Sequence, residues 1–315
     1  MSNQLWVLGD AVVDLIPEGR DHYLKCPGGA PANVAVGVSR LGGRSNFIGR
    51  VGKDPLGQYM KSILEKELVN TKYLSFDANY STSTVIINLD EHGERTFSIM
   101  VKPSADQFLE FKDLPSFSKG DWLHCCSNAF ANEPSRSTAF NAIQAIRKVG
   151  GYVSFDPNLR HEVWLCPEEM RDVIKQVLLV ADVVKFSEEE LLWLTEASDL
   201  KIALDKLESI AIPLVIVTQG KDGALLCVKG KAPVLYKGRE VSAVDTTGAG
   251  DAFVGGLLAI LVKQDHWYTE ETISEAMVWA NACGRLVISE KGAMTALPTR
   301  KLLIKELSIS TAKDF

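Results

Sequence analysis

Residues 244–253 read Val-Asp-Thr-Thr-Gly-Ala-Gly-Asp-Ala-Phe, and this stretch holds the most pointed chemistry in the chain. The run at 241–244 reads as a strand, and a strongly apolar helix is expected over 250–262. Between them, Gly248, Ala249 and Gly250 are small enough for an anion to approach the backbone. The first N–H groups of a helix have no partner of their own and point at such an anion. Asp251 falls in the first turn. Complementing the helix dipole explains an acid there, but not the small residues before it. An acid beside an amide nest suits phosphoryl transfer. The acid accepts the proton of an attacking hydroxyl while the amides stabilise charge on the moving group.

A second segment, residues 27–35, reads Pro-Gly-Gly-Ala-Pro-Ala-Asn-Val-Ala. Two readings stand side by side. One is a plain turn with Asn33 as helix N-cap. In the other, backbone amides and the Asn33 side chain approach a polar small molecule.

Other chemistries lack their residues. The Gly-x-x-x-x-Gly-Lys-Ser/Thr loop is absent, which excludes P-loop NTPases, and so are the His-Arg-Asp and Asp-Phe-Gly marks of protein kinases. No Gly-x-Gly-x-x-Gly follows the first strand, so a dinucleotide oxidoreductase is disfavoured. His22, His92, His124, His161 and His266 have no metal-ligand spacing and read as structural or surface residues.

The elements that must hold these residues alternate. Strands are expected at 5–8, 46–51, 122–126, 152–156, 183–186, 214–217 and 224–228. Helices are expected at 33–41, from Asp54 and Pro55 onward, and at 134–149, 168–180, 188–195 and 270–288. Asp54 before Pro55 is a helix start in which Asp caps and Pro takes the first helical position. Residues 82–101 differ: two strands and a turn at 90–94 form a hairpin with no helix between. The alternation predicts an α/β fold with a mainly parallel, doubly wound sheet and ligands beyond the carboxyl ends of its strands.

Composition narrows the partners. The chain carries 34 basic and 40 acidic residues, net −6, with no basic block, so a nucleic-acid binder is not expected. The longest apolar stretch, 252–262, is too short to span a bilayer, and the first residues lack a signal-peptide pattern. Six scattered cysteines read as reduced thiols of a cytoplasmic protein.

Two motifs together carry a family resemblance. Gly28, Gly29 and Asn33 form Gly-Gly-x-x-x-Asn, and Asp245, Thr246, Gly248, Ala249, Gly250 and Asp251 form Asp-Thr-x-Gly-Ala-Gly-Asp. More than two hundred residues apart and in this order, they resemble the paired signatures of the ribokinase/PfkB family of sugar kinases, and the likeness spans essentially the whole chain. Within that family the chain is most similar to bacterial fructokinases and aminoimidazole riboside kinases.

The resemblance implies a three-layer α/β/α sandwich of residues 1–11, 28–81 and 105–315, with a β lid of residues 12–27 and 82–104. It implies ATP-dependent phosphorylation of a sugar hydroxyl, with fructose favoured over aminoimidazole riboside, ribose and 2-keto-3-deoxygluconate. A catalytically silent binding regulator on the same fold would have lost Asp251. Asp251 takes the role of base, and Gly248, Ala249 and Gly250 that of anion hole. Asp14, Gly29, Asn33, Ile99 and Arg160 are assigned to the sugar. Arg160 comes from residues 156–160, which resemble the family's Asp-x-Asn-x-Arg segment. Lys185, Glu190, Thr218, Gly220, Gly223 and Asn281 are assigned to the nucleotide, Glu190 acting on Mg²⁺ through water. Ser187 stands where much of the family has Asn. The K⁺ positions are Asp245, Thr247, Val287, Glu290 and Gly292. A homodimer through the lid is the expected assembly.

Overall fold

The computed structural model describes residues 3–19, 21–89, 95–239, 241 and 244–313. Along the chain, β1 (Leu5–Leu8), β2 (Val12–Glu18) and β3 (His22–Gly28) lead into α1 (Ala30–Arg40). Then come β4 (Ser45–Gly52), α2 (Pro55–Lys66), β5 (Asn70–Asp77), β6 (Thr84–Leu89) and β7 (Arg95–Ile99). The next part alternates: β8 (Trp122–Cys126), α3 (Ser135–Lys148), β9 (Tyr152–Asp156), α4 (Met170–Leu178) and β10 (Val183–Ser187). After α5 (Glu188–Thr195) and α6 (Leu200–Glu208) run β11 (Leu214–Thr218), β12 (Gly223–Val228) and β13 (Val234–Lys237). Three helices follow: α7 (Ala249–Leu261), α8 (Glu270–Val287) and α9 (Arg300–Lys313).

The large sheet has the order β13-β12-β11-β10-β9-β8-β1-β4-β5. It is parallel from β5 to β11, and β12 and β13 add an antiparallel edge. Helices cover both faces, so its central strands are apolar on both sides. In β1, Leu5 and Val7 point into the core shared with α1, α7 and α8, while Trp6 and Leu8 point into the core shared with α3 and α4. From β1 the chain winds one way to β4 and β5, and the other way through β8 to β11. The carboxyl ends of β1 and β8 therefore flank the switch point where such sheets bind ligands.

A four-stranded sheet of order β3-β2-β6-β7 stands apart from the large one. Its two hairpins are joined by the parallel pairing of β2 with β6, which sets Asp14 opposite Val85. The hairpin turn expected at 90–94 lies outside the described residues. Asp54 caps α2 as expected: its Oδ1 accepts the Gly57 N–H at 2.8 Å. Its Oδ2 also accepts the Thr82 N–H at 2.8 Å, so the capping residue fixes the chain where it enters the small sheet.

Two local expectations are corrected. Asn33 is not an N-cap. The helix starts at Ala30 behind Gly29, and the Asn33 N–H already donates to the Gly29 carbonyl at 2.9 Å. Pro31 near the helix start is compatible with that earlier beginning. The expected strand at 241–244 does not end at Val244, which lies outside any strand; residues 242 and 243 are not described. Instead the N–H groups of Val244 and Asp245 both donate to the Ile288 carbonyl at the end of α8. Among the described residues, no helix is long and apolar enough to cross a membrane, and all six cysteines are free thiols.

Candidate active site

The site begins at the start of α7. Gly248 is its N-cap, at φ 80° and ψ 4°, a left-handed conformation costly for other residues. A Cβ there would also come within 2.8 Å of the Ala293 Cβ. The loop can thus pack on residue 293 with Gly248 and Gly250 in the cleft wall, but one expectation is corrected: the Ala249 N–H donates to the Thr246 carbonyl at 3.2 Å and is not free for an anion.

One turn into α7, Asp251 is 7% exposed and held from two sides. Asn33 Nδ2 donates to its Oδ2 at 2.7 Å, and Asn158 Nδ2 donates to its Oδ1 at 3.3 Å. Both partners donate, which suits an ionised carboxylate. Burial raises the Asp251 pKa above the ordinary aspartate value, while Asn33, Lys185 and Arg160 pull against the rise. The result is a carboxylate more basic than one in water, as a proton acceptor requires.

Lys185, on β10, places its Nζ 3.2 and 3.1 Å from the two carboxylate oxygens of Asp156 at the end of β9. Burial works against the Lys185 charge, but Asp156, Glu190 and Asp251 outweigh it and hold the pKa above that of an ordinary lysine. A Cβ built on Gly250 would stand 3.1 Å from that Nζ. The cation, paired with Asp156, therefore lies directly beside the helix start.

These groups open into a cleft of about 660 Å³ at the switch point. Its walls include Asp14, Gly29, Asn33, Ile99, Arg160, Lys185 and Glu190 together with the whole stretch 244–251, so all the residues assigned to the sugar and the anion hole converge here. Asp14 and Ile99 reach it from the small sheet, and Ile99 pairs with Val85 across β6 and β7. Ser187 and Glu190 form a capping box at the start of α5: Ser187 N donates to Glu190 Oε2 at 2.8 Å, and Glu190 N to Ser187 Oγ at 3.1 Å. Glu190 Oε1 accepts the Leu159 N–H at 3.0 Å, which ties the loop carrying Arg160 to α5.

The other assigned residues lie outside the walls of this cleft. Thr218 ends β11 beside Ser187. Gly220 begins the turn after it, and Asn281 sits half-buried on α8. Gly223 has a structural reason to be glycine, because a Cβ would meet the Tyr236 carbonyl at 2.1 Å. Of the residues assigned to K⁺, Asp245 and Thr247 line the cleft, whereas Val287, Glu290 and Gly292 come from the end of α8 and the loop after it. Asp245 knits the two loops together: its Oδ1 accepts Thr247 N at 3.0 Å and its Oδ2 accepts Gly292 N at 2.8 Å.

Sequence reasoning passed over Asp10, Asp106, Asn128, Asp156 and Asn158, which the fold brings to the same place. Asp156 and Asn158 sit in the segment that supplied Arg160, so a signal for them was present. Among the described residues, no group of three or more His, Cys, Asp or Glu side chains is arranged to hold a metal ion.

The model of the pfkB family of carbohydrate kinases matches residues 2–300. The chain belongs to that family. This kinase is 54% identical to the fructokinase of Vibrio alginolyticus over 96% of its own length and 98% of that protein's. The crystal structure of Vibrio cholerae O395 fructokinase in its fructose, ADP and calcium ion bound form is 55% identical, with a TM-score of 0.94 over 97% of this chain and 99% of that one. A double mutant of the same fructokinase is described with fructose, ADP and potassium ion bound, at a TM-score of 0.94, 54% identity and coverage of 97% and 98%. Aminoimidazole riboside kinase from Salmonella enterica, complexed with aminoimidazole riboside and an ATP analog, is 38% identical with a TM-score of 0.91, covering 97% of this kinase and all of that chain. The family confirms the expected ribokinase-like α/β sandwich with its smaller sheet.

Proposed function

We propose that this kinase transfers the γ-phosphoryl group of ATP to the terminal hydroxyl of D-fructose, giving fructose 6-phosphate and ADP. The observation that carries the reading is Asp251, buried at the start of α7 between two amide donors and beside the amides of Gly248 and Gly250. Asp251 takes the hydroxyl proton as the oxygen forms its bond to phosphorus. The bond from phosphorus to the β–γ bridging oxygen breaks, and ADP leaves with those electrons. The amides of Gly248 and Gly250 and the Lys185 cation stabilise negative charge as it moves. Asp14, Asn33 and Arg160 orient the sugar from the cleft walls. The small sheet acts as a lid that keeps water from competing for the phosphoryl group. Fructose is favoured over aminoimidazole riboside by the higher identity to fructokinases and by the aliphatic Ile99 on the lid.

The nucleotide reading extends from this centre to Thr218, Gly220, Gly223 and Asn281. Glu190 borders the phosphate side of the cleft with a lone pair left on each oxygen, which fits a hydrated Mg²⁺ held through water. That ion, bound with ATP, would offset phosphate charge. The loops joined by Asp245 and Gly292 place the carbonyl-bearing residues 245, 247, 287, 290 and 292 in two adjoining segments, in keeping with a K⁺ site. Tyr23 and Leu24 are exposed apolar residues on β3, and they suit the pairing of two lids in a homodimer. Free thiols throughout fit a cytoplasmic enzyme.

An ADP-release assay against fructose, aminoimidazole riboside, ribose and 2-keto-3-deoxygluconate tests the function. Fructose should give the highest kcat/KM. A higher value for another sugar overturns the substrate, and no turnover of any of them overturns the kinase reading.

A further inference from the structure

Four passages of chain join the small sheet to the rest of the molecule, and they are fastened in two ways. β2 and β3 pair down to their roots, where Val12 stands opposite Gly28. The β6–β7 hairpin does not. Its ladder reaches Val85 opposite Ile99, with one more bond from the Met100 N–H to the Thr84 carbonyl. Beyond that point its two legs, residues 77–83 and 100–113, run on without strand pairing to each other. Arg50 spans them. It lies on β4 opposite Ser75 of β5, its side chain 10% exposed. Its Nη1 donates to Asp77 Oδ2 at 3.1 Å, on the leg that enters the hairpin. Its Nη2 donates to Asp113 Oδ2 at 2.7 Å and to Glu110 Oε2 at 3.0 Å, on the leg that leaves it. One planar guanidinium thus holds both legs, which its fork allows and the point charge of a lysine does not. Each acid is also built into its surroundings. Asp77 Oδ1 accepts the N–H groups of Asn79 and Tyr80 at 2.8 and 3.1 Å. Asp113 Oδ1 accepts Ser75 Oγ at 2.8 Å. Two further contacts cross between the legs: the Ala105 N–H donates to the Ser81 carbonyl at 2.9 Å, and the rings of Tyr80 and Phe108 stack with centroids 3.6 Å apart.

The ion pairs lie outside the cleft, yet the legs they hold carry part of its wall. Arg50, Asp77 and Asp113 are not wall residues, whereas Ser83 on one leg and Lys102, Ser104 and the turn residues Asp106 and Gln107 (turn 105–108) on the other are. Asp77 and Asp113 are both buried, and the one guanidinium serves them both. Without it two buried carboxylates would be left across the legs from each other, and a buried charge that has lost its partner is strongly destabilising. Glu110 is half-exposed and also paired with Lys112, so solvent screens its share. We propose that Arg50 is a positioning residue that clasps the two legs of the β6–β7 hairpin at their root, so that the small sheet and the cleft wall at 102–107 close over the sugar as one piece. The clasp rests on the lid reading of the small sheet and goes beyond it by naming what keeps the lid in register with the cleft.

The test uses Arg50→Gln and the double variant Arg50→Gln with Asp113→Asn, which loses the clasp without leaving two unpaired acids. Both should raise the fructose KM about 5- to 20-fold and move the ATP KM by less than about twofold. The ratio of ADP released to fructose 6-phosphate formed should rise at least about twofold, as water reaches the phosphoryl group. The melting temperature should fall further in the single variant than in the double, while the kinetic changes match, and that split separates clasping from stability. Kinetic constants within about twofold of wild type, or a KM that recovers in step with the melting temperature in the double variant, would make Arg50 a structural ion pair and overturn the proposal. If Arg50→Gln fails to fold, the double variant and Arg50→Lys carry the test; the lysine keeps the charge but holds one leg, and should show the same rise in KM and in the ADP ratio. Hydrogen exchange of the wild type with and without fructose judges the lid reading separately. If fructose adds no protection to β2 and β6, the lid reading fails and the clasp with it. If it adds protection that the variants keep in full, the lid stands and the clasp alone is rejected. If the wild type turns over another sugar better, that sugar replaces fructose in every arm.

Discussion

Gly37 on α1 and Gly255 on α7 meet backbone to backbone: a Cβ built on Gly255 would stand 3.4 Å from the Gly37 Cα. One helical turn earlier on α1 is Asn33, and one turn earlier on α7 is Asp251. The close crossing brings those two side chains to 2.7 Å. The geometry of Asp251, the proposed base, is therefore set by a helix contact away from the cleft as well as by the loop before α7.

Asp251→Asn should lower kcat by roughly 10²–10⁴ while leaving the fold and ATP binding in place. Steady-state kinetics, with calorimetric titration of a non-hydrolysable ATP analogue, check this. Activity within threefold of wild type would remove Asp251 from the role of base.

Asn33→Leu should shift the pH dependence. The Asn33 hydrogen bond favours ionised Asp251 and holds its pKa down against burial. Without that donor the pKa rises, so the acidic limb of the kcat profile should move to higher pH. A limb that stays in place would show that Asn33 serves the sugar alone.

Alanine at the helix crossing tests the positioning. Either Gly37→Ala or Gly255→Ala alone meets the other glycine at ordinary contact distance. The double variant puts two methyl groups into one gap and should cost about 1–3 kcal/mol beyond the sum of the singles. Urea denaturation of the four proteins measures that coupling, and an additive result would mean that the helices separate without strain. Gly256→Ala should be costly by itself, because its Cβ would lie 2.9 Å from the Trp279 carbonyl on α8.

His124 should leave a mark on acid stability. It is fully buried on β8, its Nδ1 3.1 Å from Ser154 Oγ, and burial followed by the Lys185 charge lowers its pKa from 6.5 to about 3. The unfolded chain then binds a proton between those values that the folded chain refuses, so stability falls as pH drops below 6.5. His124→Gln removes this contribution. Relative to wild type, its stability should improve by about 2 kcal/mol from pH 7 to pH 5, at 1.36 kcal/mol per pH unit. Denaturation at the two pH values measures the difference, and parallel losses would rule out His124 as the source.

Much of the fold was legible because apolar runs of strand length alternate with helical spacing. β8, β9 and α5 fall on the expected residues. Two elements were missed for different reasons. β13 is an exposed edge strand with no alternation to see, whereas α6 does carry a signal that was passed over, Leu200, Ala203, Leu204 and Leu207 at helical spacing behind the Asp199 cap. At the site, small residues and an acid marked the α7 start directly, since chemistry there constrains residue type over a short span. Asp10 and Asp106 carried no such mark. An isolated aspartate after a strand looks the same whether it faces solvent or a buried cleft, and only the meeting of β1, β8 and the 105–108 turn tells them apart. The misplaced start of α1 has the same root: Asn33 is a good cap by type, but its side chain is engaged by Asp251, 218 residues on.

The small sheet joins two stretches of chain that share no local contact. β2 pairs with β6 only after β4 and β5 have returned the chain across the large sheet. Long-range pairings of this kind form late, because the intervening chain must be ordered first. The roof of the cleft is thus expected to assemble after its floor. A nascent or partly unfolded molecule would expose the Asp251 region to water before it could enclose a sugar. Hydrogen exchange should reveal that order as lower protection in β2 and β6 than in β1 and β8, and on the proposed lid role a variant that loosens the small sheet should lose more ATP to water without unfolding the rest of the chain.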